Sequence, residues 1–328
     1  MKHHFGDLLD RDGDYWTIIP NRERYTYYVG DVPPGSAEIT VVTIGEEDEK
    51  WRTISSLPNL EELTLHKPTK EQLESVSKLT QLKRLRVTHA RTKDIGFISS
   101  LCNLEELVME YVSGFSDLSP LNGLPNLKSI HFENLRRVTD FGGLSGLRSL
   151  RYLNIDGTLD WKQPILDFEF LSGLPNLEVL SLGQIINKTP YPALLPALTL
   201  KKLKSFRATW TMLAAEEYAL LEVGMPHVDG AVRGPYTKFA YSTIPLPNHD
   251  IRSHLSDDVV REKHPEVKIY YNGERHIDDP KNTWLEFTGK KAGRVKVGSS
   301  KEKERRDAYS ERYESMKDQA RAIIAELI

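Results

Sequence analysis

The chain has 328 residues, 39% of them hydrophobic and 28% charged, with 44 Lys plus Arg against 47 Asp plus Glu and a net charge of −3. Such a composition belongs to a folded globular chain long enough for a sizeable core, and it supplies no basic excess to drive non-specific binding to nucleic acid. The single cysteine, Cys102, excludes an internal disulfide framework and a cysteine-rich zinc cluster.

The chain begins MKHHFGDLLDRDGDYW, with no apolar h-region, and holds no run of about 18 apolar residues. A cytoplasmic protein without a membrane span is expected. The next residues run to VPPGS, and Ser36 to Gly45 has strand composition. Val41 stands 22 residues before Leu63 and is expected to face inward with it. Residues 1–50 therefore read as an N-terminal cap with an irregular first strand.

From 51 to 210 a unit L-x-x-L-x-x-L-x-L recurs. It appears as LPNLEELTL from Leu57, LTQLKRLRV from Leu79, LCNLEELVM from Leu101 and LPNLKSIHF from Leu124. LRSLRYLNI from Leu147, LPNLEVLSL from Leu174 and a weaker LKKLKSFRA from Leu200 continue it, at spacings of 22, 22, 23, 23, 27 and 26 residues. A second element keeps phase: KDIGFISSL, SDLSPLNGL, TDFGGLSGL and LDFEFLSGL, each led by an aspartate (Asp94, Asp117, Asp140, Asp167). An aspartate before a short apolar turn accepts from unsatisfied N–H groups, so these segments read as short helical or 3₁₀ turns.

The repeat resembles the leucine-rich repeat family, in its short internalin-like class, over roughly 51–210. The resemblance implies an α/β fold: a curved right-handed solenoid with a parallel concave sheet and short turns on its convex side. It also implies non-enzymatic recognition of a protein partner. This sequence departs from the family at the asparagine after the last strand leucine. Pro68, Ala90, Val112, Leu135, Thr158 and Ile185 stand there, so the backbone must be satisfied in another way. Independently of the family, one such unit cannot bury its own leucines, and neighbours must stack to make a core.

Residues 211–298 read as a C-terminal cap or small appended module. A helix is expected over Met212 to Val223, stopped by Gly224 and Pro226. A worn repeat follows at Met225, then a strand at PEVKIYYNG and a hairpin across Gly289 and Gly293. Residues 299–328 form an amphipathic helix with an apolar stripe of Tyr309, Tyr313, Met316, Ala320, Ile323 and Leu327. That stripe docks on the same chain or, alternatively, joins copies into a self-assembling scaffold.

Strand residues alternate between core and surface. The face-outward positions predicted to touch a partner are Glu62, Thr64, His66, Arg84, Arg86, Glu106, Glu110, His131, Glu133, Tyr152, Asn154, Asp156 and Arg207. Arg84 and Arg86 form an exposed basic row between acidic ones, suited either to a charged partner or to lateral pairing. Trp161 sits in TLDWKQP, an insertion in the repeat, and is a loop candidate.

The motifs G-x-S-x-G, G-x-x-x-x-G-K-S/T and H-E-x-x-H are all absent. No catalytic residue, metal site or cofactor is assigned, and neither nucleic acid nor membrane is expected as partner. His3, His4 and Asp7 offer at most a weak terminal cation site. His249, His254 and Asp257 mark the one alternative, an active site in 211–298 with the repeats as substrate receptor. The basic run from Lys290 to Arg306, interleaved with Glu302 and Glu304, reads as a solvated helix start.

Overall fold

The computed structural model describes residues 29–326, together with the backbone of the strands Lys2–Asp7, Asp10–Asp12, Tyr15–Thr17 and Arg22–Tyr28. The described chain divides into two units, residues 1–213 with 224–232, and residues 214–223 with 233–328.

The first unit is a solenoid. Beyond the strand Arg22–Tyr28, which pairs parallel with the first of them, its parallel strands are β1 (Val41–Gly45), β2 (Glu62–His66), β3 (Arg84–Thr88) and β4 (Glu106–Glu110). They continue as β5 (Ser129–Glu133), β6 (Tyr152–Asp156), β7 (Val179–Leu182) and β8 (Ser205–Ala208). Each pairs with the next in sequence order, one coil per strand. The register places like positions side by side: Leu63 pairs with Leu85, then Leu107, Ile130, Leu153, Leu180 and Phe206. All of these are buried, as are the leading leucines Leu60, Leu82, Leu104, Leu127, Leu150 and Leu177. The first strand is offset from its expected phase. Val42, not Val41, pairs with Leu63, and Val42 and Ile44 are the buried pair. The coil entering β2 is therefore one residue shorter than the repeat spacing.

The convex side is built by the in-phase aspartates. The carboxylates of Asp94, Asp117, Asp140 and Asp167 accept from the backbone N–H groups of Gly96, Ser119, Gly142 and Glu169 at 2.7–3.0 Å. Each opens a 3₁₀ turn: Gly96–Ile98, Ser119–Gly123, Gly142–Leu144 and Glu169–Gly173. This is the side-chain turn that aspartate forms two residues ahead of itself. Gly143 explains part of the glycine cluster, because a Cβ there would lie 2.5 Å from the Leu118 backbone. Helix α1 (Lys70–Ser75) starts on a capping box between Thr69 and Gln72.

The missing asparagine ladder is replaced in several ways. After β2, β3, β4 and β5 the next residue (Lys67, His89, Tyr111, Asn134) turns left-handed, at φ 49–56°. Its N–H donates to the neighbouring coil (Thr88, Glu110, Glu133 and Asp156 carbonyls, each 2.9 Å) and so lengthens the ladder by one rung. Buried Gln163 receives the Leu135 N–H and donates to the Val138 carbonyl. A short parallel ladder joins Gln163–Ile165 to Ile185–Asn187. Before the strands, the amides of Asn59, Asn103, Asn126 and Asn176 each donate to a carbonyl of the preceding coil. Met225, Val228 and Ala231 are buried, and Asp229 bridges to Ser205, extending the solenoid by a partial coil.

The second unit begins with helix α2 (Ala215–Gly224), which starts later than the sequence pattern suggests. Met212 is taken by the solenoid, its sulfur 3.2 Å from the Ile185 nitrogen. A three-stranded antiparallel sheet places Thr283–Phe287 between Tyr236–Ala240 and Arg294–Lys296. A smaller sheet of Thr243–Pro245, Arg275–Asp278 and Lys268–Ile269 accompanies helix α3 (Asp257–Lys263), with Leu246, Val260 and Val267 as its core. Helix α4 (Glu302–Ala325) lays Tyr309, Tyr313 and Met316 into a cluster with Ala215, Ala219, Leu285, Phe287 and Val295. Ala320 is fully buried as well. The stripe therefore docks on its own chain. Leu327, its last predicted member, lies outside the described residues.

Truncating Leu104, buried at the centre of the repeat, should cost about 2–5 kcal/mol by transfer and cavity terms. Leu159→Ala, at a site 88% exposed, should stay within about 0.5 kcal/mol. Urea unfolding of both variants measures the contrast.

Candidate binding face on the parallel sheet

The outward side chains fall into three rows that run across the strands, because the register aligns the coils. The first row is Glu62, Arg84, Glu106, Ser129, Tyr152, Val179 and Ser205. The second is Thr64, Arg86, Val108, His131, Asn154, Ser181 and Arg207. The third is His66, Thr88, Glu110, Glu133 and Asp156.

Arg84 is not the free cation that a strand-by-strand reading suggests. Its guanidinium meets Glu62 at 3.3 Å and Glu106 at 2.9 Å. Arg86 crosses from the second row to the third and reaches Glu110 Oε2 at 2.8 and 2.9 Å. The two arginine side chains are only 22% and 20% exposed. Lateral pairing thus accounts for the alternating charges. A further ladder runs just before the strands: Glu61 with Lys83, Glu105 with Lys128, and Glu178 with both Arg151 and Lys204, at 2.6–2.9 Å.

Burial corrects other expectations. Glu106, Glu110, His131, Tyr152 and Asn154 point outward from the strands but are buried. Close lateral contact between in-register side chains leaves them little surface to offer. Thr64, His66, Arg84, Arg86, Glu133 and Asp156 are half-buried, and Arg207 is exposed. The His66 Nδ1 lies 2.8 Å from Thr88 Oγ1, and burial pushes its pKa down.

The third row puts three carboxylates, Glu110, Glu133 and Asp156, at one register position on adjacent strands, spaced by about 4.8 Å of sheet. Like charges directly opposite each other destabilise a sheet. The His131 ring beside Glu133 holds that carboxyl below its usual range. Burial, then the charge of Glu133, pushes Asp156 up to about 6. Gly183 makes room for Asp156, since a Cβ there would sit 2.3 Å from its carboxylate oxygen. His131 is 6% exposed and neither ring nitrogen has a hydrogen-bond partner; its Nε2 lies 3.9 Å from Glu133. Along the edge of the face, the His89 ring stacks on Tyr111 at 4.8 Å and meets His66 edge-on at 5.4 Å.

Trp161 is half-buried in its insertion, where its N–H donates to Thr158 Oγ1 at 3.0 Å. Each of the three groups of the alternative active site has its own surroundings. His249 is exposed, the His254 ring lies on the Asn248 carbonyl, and Asp257 pairs with Arg275. Cys102 is exposed, and its carbonyl accepts from Asn126. The side chains of His3, His4 and Asp7 lie outside the described residues. In the basic run, Arg294 lies over the rings of Tyr241 and Trp284 at 4.6 and 4.7 Å. The sequence reading named Asp156 and Glu133 but missed that they meet. The signal was available in the 23-residue offsets from Glu110 to Glu133 and from Glu133 to Asp156.

Two outcomes are expected. Arg86→Glu places a carboxylate against Glu110 and should destabilise by about 2–4 kcal/mol, whereas exposed Arg207→Glu should stay within about 0.5 kcal/mol. Asp156 has a folded pKa above its unfolded one, so the folded state binds the extra proton between about pH 4 and pH 6. Its contribution to stability is fullest below that window and is lost as pH rises through it. Asp156→Asn should remove this slope and stabilise the protein at pH 7 by about 1 kcal/mol, allowing for partial solvent screening. Urea titrations of both proteins at pH 4 and pH 7, in EDTA, measure the difference.

No family model matches the chain, and no curated protein does. Solved structures do. The chain is similar to the internalin inlF of Listeria monocytogenes, at 23% identity and a TM-score of 0.42, over 58% of this chain and 52% of that one. It is similar to internalin C2 of the same organism at 21% identity and TM-score 0.36, over 54% and 71%. A leucine-rich repeat protein of Leptospira interrogans follows at 14% identity and TM-score 0.31, over 55% and 58%. This chain thus spans about half of the inlF structure. The fold assignment stands on the chain's own coils. One strand per 21–27 residues, in-register leucines and an aspartate-led turn on the opposite side make the first unit a leucine-rich repeat solenoid.

Proposed function

We propose that the chain is a non-enzymatic recognition module that binds a protein partner through the open face of its parallel sheet, with the Trp161 insertion as a flanking contact. The observation that carries this reading is the face itself. Eight in-register strands span about 34 Å at the usual strand spacing and present polar and charged groups of both signs. Mixed charge fixed in place favours selection among protein surfaces over general adhesion. The stacked acidic row would repel a phosphate backbone, which favours a protein over a nucleic acid. Among the described residues no helix is long and apolar enough to cross a membrane. Within this reading the chain acts in the cytoplasm as a regulatory or immunity-type factor for another protein. The stripe of α4 is already covered by Leu285, Phe287 and Val295, which favours partner binding over assembly through that helix.

The accessible end of the second row offers the test. Ser181→Arg with Arg207→Glu alters half-buried and exposed positions and leaves the buried charges alone. Intact protein and variant are compared by affinity capture and mass spectrometry, with circular dichroism as the folding control. A partner held by the intact protein and lost, at least ~10-fold, by the folded variant is expected; a 10-fold loss corresponds to about 1.4 kcal/mol. A partner held equally by both would move the contact off the sheet, and Trp161→Ala would then test the insertion. Capture of no partner under any condition would overturn the reading.

A further inference from the structure

The third row contains an arrangement that protein recognition does not require. Glu110, Glu133 and Asp156 share one register position on β4, β5 and β6. His131 precedes Glu133 by two residues on β5 and projects from the same face. One ligand atom from each of Glu110, His131 and Glu133 can be chosen so that all lie within 4.8 Å of one another. An acid cluster alone would be an ordinary solvated patch. Here the imidazole sits among the acids and is more than nine-tenths buried, with both nitrogens lacking a hydrogen-bond partner. An orphaned buried polar group costs free energy, and native proteins keep few of them. Asp156 Oδ1, on the next strand, is a buried oxygen that likewise has no hydrogen-bond partner.

We propose that Glu110, His131 and Glu133 form a divalent transition-metal site on the sheet, with Asp156 as an additional oxygen donor. The donor set selects the ion class. Carboxylates with one imidazole suit Zn²⁺ or Mn²⁺, whereas Ca²⁺ takes six to eight oxygens. Metal–ligand bonds of about 2.1 Å hold tetrahedral ligand atoms about 3.4 Å apart. From within 4.8 Å of one another, the glutamate side chains therefore need to close by up to about 1.4 Å, which their rotatable bonds allow. Arg86 holds Glu110 through Oε2 and leaves the other oxygen for the metal, the kind of supporting contact that orients a ligating carboxylate. A bound cation would also offset the repulsion between carboxylates held at one register position on adjacent strands. The inference is independent of the partner reading, because ion uptake is measured on the chain alone.

The test is calorimetric titration of the full chain with ZnCl₂, repeated with MnCl₂ and CaCl₂, together with thermal melting with and without Zn²⁺. Uptake of one Zn²⁺ per chain with a raised melting temperature is expected, and Zn²⁺ binding should exceed Ca²⁺ binding. His131→Leu and the isosteric Glu133→Gln should each weaken Zn²⁺ binding by at least ~10-fold while circular dichroism shows a folded chain. If His131→Leu fails to fold, Glu133→Gln alone decides. A His3→Ala, His4→Ala variant should keep the uptake. No uptake, uptake unchanged in the folded sheet variants, uptake lost with His3 and His4, or a preference for Ca²⁺ would each overturn the proposal.

Discussion

The first unit depends on one constraint, that no coil can bury its leucines without a neighbour. Leu63 and Leu65 become interior only because Leu85 and Val87 lie beside them in register. The same register that stacks leucines inward must stack whatever stands between them outward. Every chemical feature of the open face is therefore a row across coils rather than a property of one strand. Arg84 between Glu62 and Glu106 is such a row with compensating charge. Glu110, Glu133 and Asp156 form a row of like charge, in which Arg86 pairs with Glu110.

These two rows differ in their energetics. In the first, opposite charges meet at hydrogen-bond distance, so each carboxylate is neutralised where it is desolvated. In the third, Arg86 pairs with Glu110, while burial and then the charge of Glu133 keep the Asp156 proton to higher pH. Gly183 permits that arrangement, because any larger residue would displace the Asp156 carboxylate.

Much of this was legible in the sequence. The leucine phase gives the strands, and the four aspartates give the turns, since both depend on local spacing that the chain carries openly. The stripe of α4 gives its own docking face, confirmed by buried Tyr309, Tyr313 and Met316. What was not legible depends on distances across coils. The Asn59, Asn103, Asn126 and Asn176 ladder stands in the quoted repeat, yet its carbonyl partners 22–28 residues earlier have no sequence mark of their own. Gln163 replaces the family's asparagine from a position in the next coil. The phase of the first strand slipped by one residue because nothing before Val42 repeats. The accessibility of Arg84, Glu106 and Tyr152 was overestimated because alternation assigns a side to each residue but says nothing of how its neighbours cover it.

The hydrogen bonds that join the coils run from strand to strand, and so lie along the axis on which the solenoid is stacked. A pull on the two ends of this unit would load the coil interfaces in series, so the weakest would open first while the others held. Each release would pay out one coil of 22–23 residues over most of the stack, or about 75 Å of extended chain. The extension trace of this unit would then be a staircase with the repeat length as its step.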